Sequence, residues 1–187
     1  IMGMDIYGLN PQLTSEKPEI DWDNSTEESR EEYFKILGER EEENPGHYFR
    51  ANIWSWRPLN VLIDFVLMKK ELDWDTSSFG ENSGGGFKEQ YQCDAVADGL
   101  EEIVEQMNVE NQDSLYLNLG MWVNYNGTFN VPDEIQDQLN EEQKELFLFT
   151  PIVASNGELV IPAHSTSKRH VEQFIKFLRH CGGFEIY

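Results

Sequence analysis

Arg50 and Arg57 bracket Trp54 and Trp56 in HYFRANIWSWRPL, residues 47–59 of a chain otherwise short of positive charge. A guanidinium grips anionic groups with a planar fork and stacks on aromatic faces. Indole rings attract cations through their negative faces. Read as a strand over 48–54, the segment puts Tyr48, Arg50, Trp54 and Trp56 on one side, with Arg57 just beyond. Such a platform suits a small anionic, aromatic ligand such as a nucleotide. The same residues also suit a structural role, with the tryptophans anchoring a core and the arginines pairing with carboxylates such as Asp64.

A second constellation is acidic. Between Lys88 and Lys144 the chain has 13 Asp and Glu and not one Lys or Arg. Asp94, Asp98, Glu101, Glu102 and Glu105 fall on one side of a helix predicted over 93–107, and Val96, Leu100, Ile103, Val104 and Met107 on the other. Like charges one helical turn apart cost a few tenths of a kcal/mol each. A face built only for solubility would mix signs. One turn spaces the carboxylates by ~5.4 Å, close to the phosphate spacing of a nucleic-acid strand. The face could therefore act as a nucleic-acid mimic on a basic protein. It could equally be a solvated surface, or be neutralised by the basic last helix through Lys168, Arg169, Lys176 and Arg179.

Catalytic arrangements are sparse. His47, His164, His170 and His180 stand outside any metal-binding or triad-like spacing, and the last two fall on the polar side of a helix. Cys181 beside His180 is a weak nucleophile–base pair. Gly84-Gly85-Gly86-Phe87-Lys88 lacks the Lys-Ser/Thr ending of a phosphate loop and reads as a lid or a plain loop. The expectation leans towards a protein that is not an enzyme, with no cofactor and no metal; an enzyme whose site no motif marks is the third reading.

These residues need elements to hold them. MGMDIYG alternates as a short strand and Asn10-Pro11 ends it. Ser25-x-x-Glu28 spells a capping box for a peripheral acidic helix within 25–43, whose thin apolar face is Tyr33, Phe34 and Leu37. Pro58 suits the first turn of a helix over 59–72, apolar nearly all round and so central. Residues 77–87 read as a flexible loop. Residues 115–125 alternate strictly: Leu115, Leu117, Leu119, Met121 and Val123 inward; Tyr116, Asn118, Trp122 and Asn124 outward. Asn126-Gly127 and Asn156-Gly157 spell hairpin turns. A short helix is expected over 132–144, strands over 146–153 and 158–162, a helix over 167–180, and a last strand at FEIY. The predicted fold is α+β: one domain over residues 1–187, a mainly antiparallel sheet with two Asn-Gly hairpins, and four to five helices.

Bulk composition narrows the partners. The chain has 187 residues and a formal net charge of −21, which opposes direct nucleic-acid binding and docking on anionic lipid. With 11 Phe, 7 Tyr and 5 Trp it is no disordered acidic tail. No apolar run is long enough for a membrane span. Met2 reads as the natural start, without a secretory leader after it. Cys93 and Cys181 make no disulfide framework, so a reducing, cytoplasmic setting is expected.

Four pieces in order, MGMDIYGLNP, YFRANIWSWRPL, QCDAVADGLEEIV and FIKFLRHCGGFEI, resemble an uncharacterised family of small phage and bacterial proteins. They cover about a quarter of the chain and span its length. Members of that family often carry a CxxC…CxxC insert before the last helix. This chain has none, so a zinc-ribbon role does not carry over. The resemblance implies a phage or prophage setting inside a bacterial host and no established activity. Joined to the acidic faces, it favours a binding protein whose partner is a basic host-protein surface. The Arg/Trp platform, binding or sequestering a nucleotide, is the alternative.

Overall fold

The computed structural model describes residues 3–124, 137–153 and 156–187, apart from the side chains of Met121, Asn124 and Glu142. The fold is α+β. Its described helices are α1 (Glu27–Glu43), α2 (Ile53–Lys69), α3 (Gln90–Val109) and α4 (Lys168–Leu178). Its described strands are β1 (Gly3–Gly8), β2 (Tyr48–Asn52), β3 (Ser114–Asn124), β4 (Phe147–Leu148), β5 (Ile152–Val153), β6 (Leu159–Ser167) and β7 (Phe184–Ile186). They form one sheet in the order β2-β1-β7 and another in the order β4-β3-β6-β5. The β1–β7, β3–β4, β3–β6 and β5–β6 pairings are all antiparallel.

The chain divides into two compact units, each assembled from separated stretches. One holds Ala51–Trp74 and Asp98–Gln173; the other holds Gly3–Arg50, Asp75–Ala97 and Phe174–Tyr187. Both α3 and α4 run through the division.

The first unit has an aliphatic core. Leu59, Leu62, Ile63 and Val66 of α2, Leu100 and Met107 of α3, and Leu115 and Leu117 of β3 are buried. Gly99 lets two helices approach: a Cβ there would strike both methyls of Val66. Trp122, Leu139, Leu148, Ile152 and Val160 form a smaller cluster against Tyr116. The second unit is built on phenylalanine. Phe79, Phe87 and Phe184 meet edge-to-face at 5.0–5.6 Å, and Phe49 rests on Phe174 and Phe177. Such tilted and T-shaped contacts satisfy the ring quadrupoles as well as burying area.

Four expectations change. Helix α2 begins at Ile53, six residues before the predicted start, because Asn52 caps it: its side-chain oxygen accepts from the Ser55 N–H at 2.9 Å. Pro58 therefore sits in the second turn. The capping box of α1 is Thr26 with Ser29 rather than Ser25 with Glu28. The alternation of β3 inverts part-way. Leu115 and Leu117 are buried as expected, but Leu119 is exposed and Trp122 buried. From Leu117 to Trp122 β3 takes five steps while β6 takes two, and Gly120 supplies φ +79° in that bulge. Finally, residues 137–144, the described part of the predicted 132–144 helix, hold a turn and one 3-10 turn (Glu142–Lys144). The Asn126-Gly127 turn lies outside the described residues, as do residues 154 and 155 before Asn156-Gly157.

Candidate functional site

The Arg/Trp platform comes apart at the junction of β2 and α2. A strand alternates its side chains, but the helix starting at Ile53 turns each residue by about 100° instead. Trp56 goes into the core, 1% exposed, while Trp54 stays 63% exposed. Arg57 stacks on Trp54 with its Cζ 5.2 Å from the ring centroid. The other two candidates turn to Asp5 of β1. Tyr48 donates its hydroxyl to Asp5 Oδ1, and Arg50 Nε lies 3.6 Å from the same oxygen. Burial and that bond to a carboxylate push the Tyr48 phenol well above its ordinary range. The five residues thus divide into Tyr48 and Arg50 on Asp5, Trp54 with Arg57 on the surface, and Trp56 inside.

The acidic face of α3 is assembled as its periodicity requires. Val96, Leu100 and Met107 are fully buried, which turns Asp98, Glu101, Glu102 and Glu105 to solvent. The helix start is fixed by Gln92, whose Oε1 accepts from the Lys88 and Glu89 N–H groups, each at 3.2 Å. Its last turn has no basic residue of its own; the cation at that end is Lys168, whose Nζ donates to Asn108 Oδ1 at 3.1 Å. Lys69 reaches across from α2 to Glu102, Nζ to Oε2 at 3.0 Å, and holds that carboxyl below its ordinary range. Asp94 belongs to the other unit and is tied down by Arg179 at 3.7 Å and by the Gln90 amide at 2.9 Å. The outward carboxylates are therefore Asp98, Glu101, Glu102 and Glu105.

Protein-family models, curated proteins and solved structures offer no match to this chain. The chemistry must be read from its own residues.

Three arrangements leave no signal, or a misleading one, in the residue spacing. Cys93 and Cys181, 88 residues apart, bring their sulfurs within 3.5 Å in the core of the second unit. The Cys181 thiol also lies 3.4 Å from the Leu178 carbonyl. The hydrogen bond with Cys181 and burial push the Cys93 thiol up, so it stays protonated at neutral pH. His180 is exposed where Cys181 is buried, so the two adjacent residues do not form a nucleophile–base pair. His170 is half-buried rather than on a solvated face, and burial lowers its pKa.

The glycine-rich loop is no lid. Gly84 N–H donates to Ile186 O at 2.8 Å, Ile186 N–H to Gly85 O at 2.9 Å, and Phe184 N–H to Phe87 O at 2.7 Å. The loop runs zipped along β7, and a Cβ on Gly86 would strike the Phe184 carbonyl.

The third arrangement is on α1. The residue pattern makes its apolar residues a packing face, yet Phe34 is 58% exposed. Trp22, from the preceding loop, packs on Tyr33 at 5.4 Å and on Phe34 at 6.1 Å. A groove of about 360 Å³ opens on the Tyr33 side of this cluster, lined also by Ile20 and Ile36. A loop residue such as Trp22 carries no periodic signal, which is why the sequence pattern does not reveal the cluster.

Among the described residues, no three His, Cys, Asp or Glu side chains converge on a metal-sized site. None of their helices is long and apolar enough to cross a membrane.

Proposed function

We propose that this chain is a non-enzymatic acidic binding protein, of phage type and working in a bacterial cytoplasm, that docks the outer face of α3 on a basic surface of a host protein. The observation carrying this reading is the solvent-facing set Asp98, Glu101, Glu102 and Glu105, in a 55-residue stretch without Lys or Arg. The rigid, buried opposite face of the helix holds the carboxylates at turn spacing, so they present a ladder of charge rather than a diffuse cloud. A host protein that handles nucleic acid already has a basic surface with that spacing. The face would compete with nucleic acid there. The nucleotide platform has less support: Trp56 is core, and Tyr48 and Arg50 are engaged with Asp5.

The test is a capture from host lysate over a rising salt series, followed by affinity measurements on the captured proteins. The parent chain is compared with the shape-preserving variant Asp98→Asn, Glu101→Gln, Glu102→Gln, Glu105→Gln. Binding to a basic protein should weaken steeply with salt, and the variant should lose most of the affinity and most of the salt slope. Equal affinity and slope in parent and variant would sink the proposal.

A further inference from the structure

We infer that the α1 face carries a second docking groove, and that its occupant is a basic amphipathic peptide segment of a partner protein. This goes beyond the α3 reading, since it uses different residues and different physics.

Helix α1 lacks a buried apolar stripe. A helix in a folded protein is held chiefly by an apolar stripe packed on a core. Among its residues, α1 buries Arg40 alone. It is fastened at its ends instead. The Arg40 Nε donates to Ser15 O at 3.2 Å, and Asn44 at its C-cap accepts from Thr14 N–H at 2.6 Å and donates to Arg40 O at 2.8 Å. The Thr26/Ser29 capping box holds the other end. Its apolar residues are left to the surface. Phe34 and Ile36 are exposed, Trp22 is 50% exposed, and Tyr33 and Phe34 meet edge-to-face at 5.4 Å. Tyr33 joins two apolar surfaces, the Trp22 and Phe34 rings on one side and Ile36 in the groove on the other, and exposed apolar surface with a polar rim marks an interaction site.

The patch is also set in advance. Asp21 accepts from the Asp23 N–H at 3.1 Å and from the Asn24 amide at 2.8 Å, and Ser25 Oγ donates to Trp22 O at 3.0 Å. Trp22 is thereby presented on a fixed turn. Little ordering remains for a ligand to supply, and preorganisation lowers the cost of binding.

Charge selects the occupant. Residues 16–43 contain 12 acids and four bases. Of the bases, Arg40 is buried, Lys35 lies 3.9 Å from Glu39, and Arg30 donates to Ser25 Oγ. Ile20, Tyr33 and Ile36 line the groove together with Glu19, Asp21 and Glu32. A nucleic acid, an anionic membrane or a second copy of this −21 chain would bring negative charge to a negative rim. A segment pairing apolar side chains with Lys or Arg brings both complements. Its alkyl or aromatic anchors fill the groove, its cations meet Glu19, Asp21 and Glu32, and a guanidinium can stack on Trp22.

The probe is a fluorescent 14-residue amphipathic peptide of Leu, Lys and Arg. Its controls are a scrambled peptide of the same composition and a Leu/Glu peptide. Anisotropy titration against the intact chain at moderate salt should show the amphipathic peptide binding at least ~10-fold more tightly than the scrambled one, the Leu/Glu peptide not binding, and part of the affinity persisting at high salt. Phe34→Ser with Ile36→Ser should lose ~10-fold, as deleting buried apolar contacts does. The four-site α3 amide variant should stay within about twofold. Proton–nitrogen NMR of the unmutated chain should place the shifts at the Trp22 indole and the α1 amides, which guards against a variant that merely misfolds. Equal binding of the scrambled peptide overturns the inference, because charge alone would then suffice. Shifts confined to α3, or loss of binding only in the α3 variant, overturn it while supporting the α3 reading. A dimer seen by sedimentation and dispersed by Phe34→Ser, without peptide binding, makes a second copy the occupant and also overturns it.

Discussion

Helices α1 and α3 are both strongly acidic, yet they sit in the protein in opposite ways. Helix α3 hides the apolar face of its middle turns, with Val96, Leu100 and Met107 fully buried. Helix α1 buries one arginine and leaves Phe34 and Ile36 in solvent. Charge content does not distinguish them; the destination of the apolar residues does. On α3, packing has used the apolar side between Val96 and Met107, and the outer side of that stretch is carboxylates, with Tyr91 and Val109 exposed only at the helix ends. On α1, aromatic rings and carboxylates are offered together. Salt should therefore govern contacts made by α3 and only trim those made by α1.

The largest effect that separates them is on stability. Leu100→Ala should cost about 2–5 kcal/mol, because a fully buried leucine leaves a cavity. Phe34→Ala should cost about 0.5 kcal/mol or less, as surface substitutions do. Urea denaturation followed by circular dichroism measures both, and a similar loss in the two would mean α1 is packed after all. Next in size is Gly99→Ala, at about 1–3 kcal/mol, since the new methyl must displace Val66. If that variant is as stable as the parent, the close approach of the helices is not a constraint.

Asn44→Ala strips the C-cap of α1, leaving the Thr14 N–H and the Arg40 carbonyl without their side-chain partner. The expected loss is about 1–3 kcal/mol, felt locally. Hydrogen exchange should show α1 amides opening faster while α3 amides do not change. Uniform loss of protection would instead make α1 part of the global unfolding unit.

The smallest effect is on pH. Burial lowers the pKa of His170, and burial with the nearby Arg40 charge lowers that of His47. The folded chain keeps both rings neutral at pH values where the unfolded chain begins to protonate them. Stability should therefore fall as pH drops below about 6.5 and level off once pH passes the lowered folded values. His170→Gln should flatten part of that fall in a thermal melt series. An identical pH profile in that variant would exclude His170 as a contributor.

Much of this arrangement is visible in the residue pattern. The period of Val96, Leu100, Ile103, Val104 and Met107 places α3 and its acidic side, and helices α1 and α4 and strands β1 and β7 fall close to where their patterns put them. Two of the failures share a cause: one local group outvotes the pattern. Asn52 converts Ile53 and Trp54 from predicted strand to helix by capping it. Gly120, at positive φ, reverses which side of β3 faces inward. The other misses are non-local. No spacing rule brings Cys93 to Cys181, or the glycine-rich loop to β7, because both depend on contacts about 90 or more residues apart along the chain.

The phenylalanine unit has a further consequence, for the order in which the chain is made. Its core rings come from three distant stretches, with Phe174, Phe177 and Phe184 supplied by the last of them. On the ribosome, Phe49 emerges long before the rings it rests on, and β1 before its neighbour β7. Vectorial synthesis thus leaves this half open-edged and aromatic until residues 174–187 have been made, the condition in which nascent chains engage holding chaperones. The aliphatic half draws only on residues up to 173, so its parts are all synthesised while the other half still waits for its last stretch.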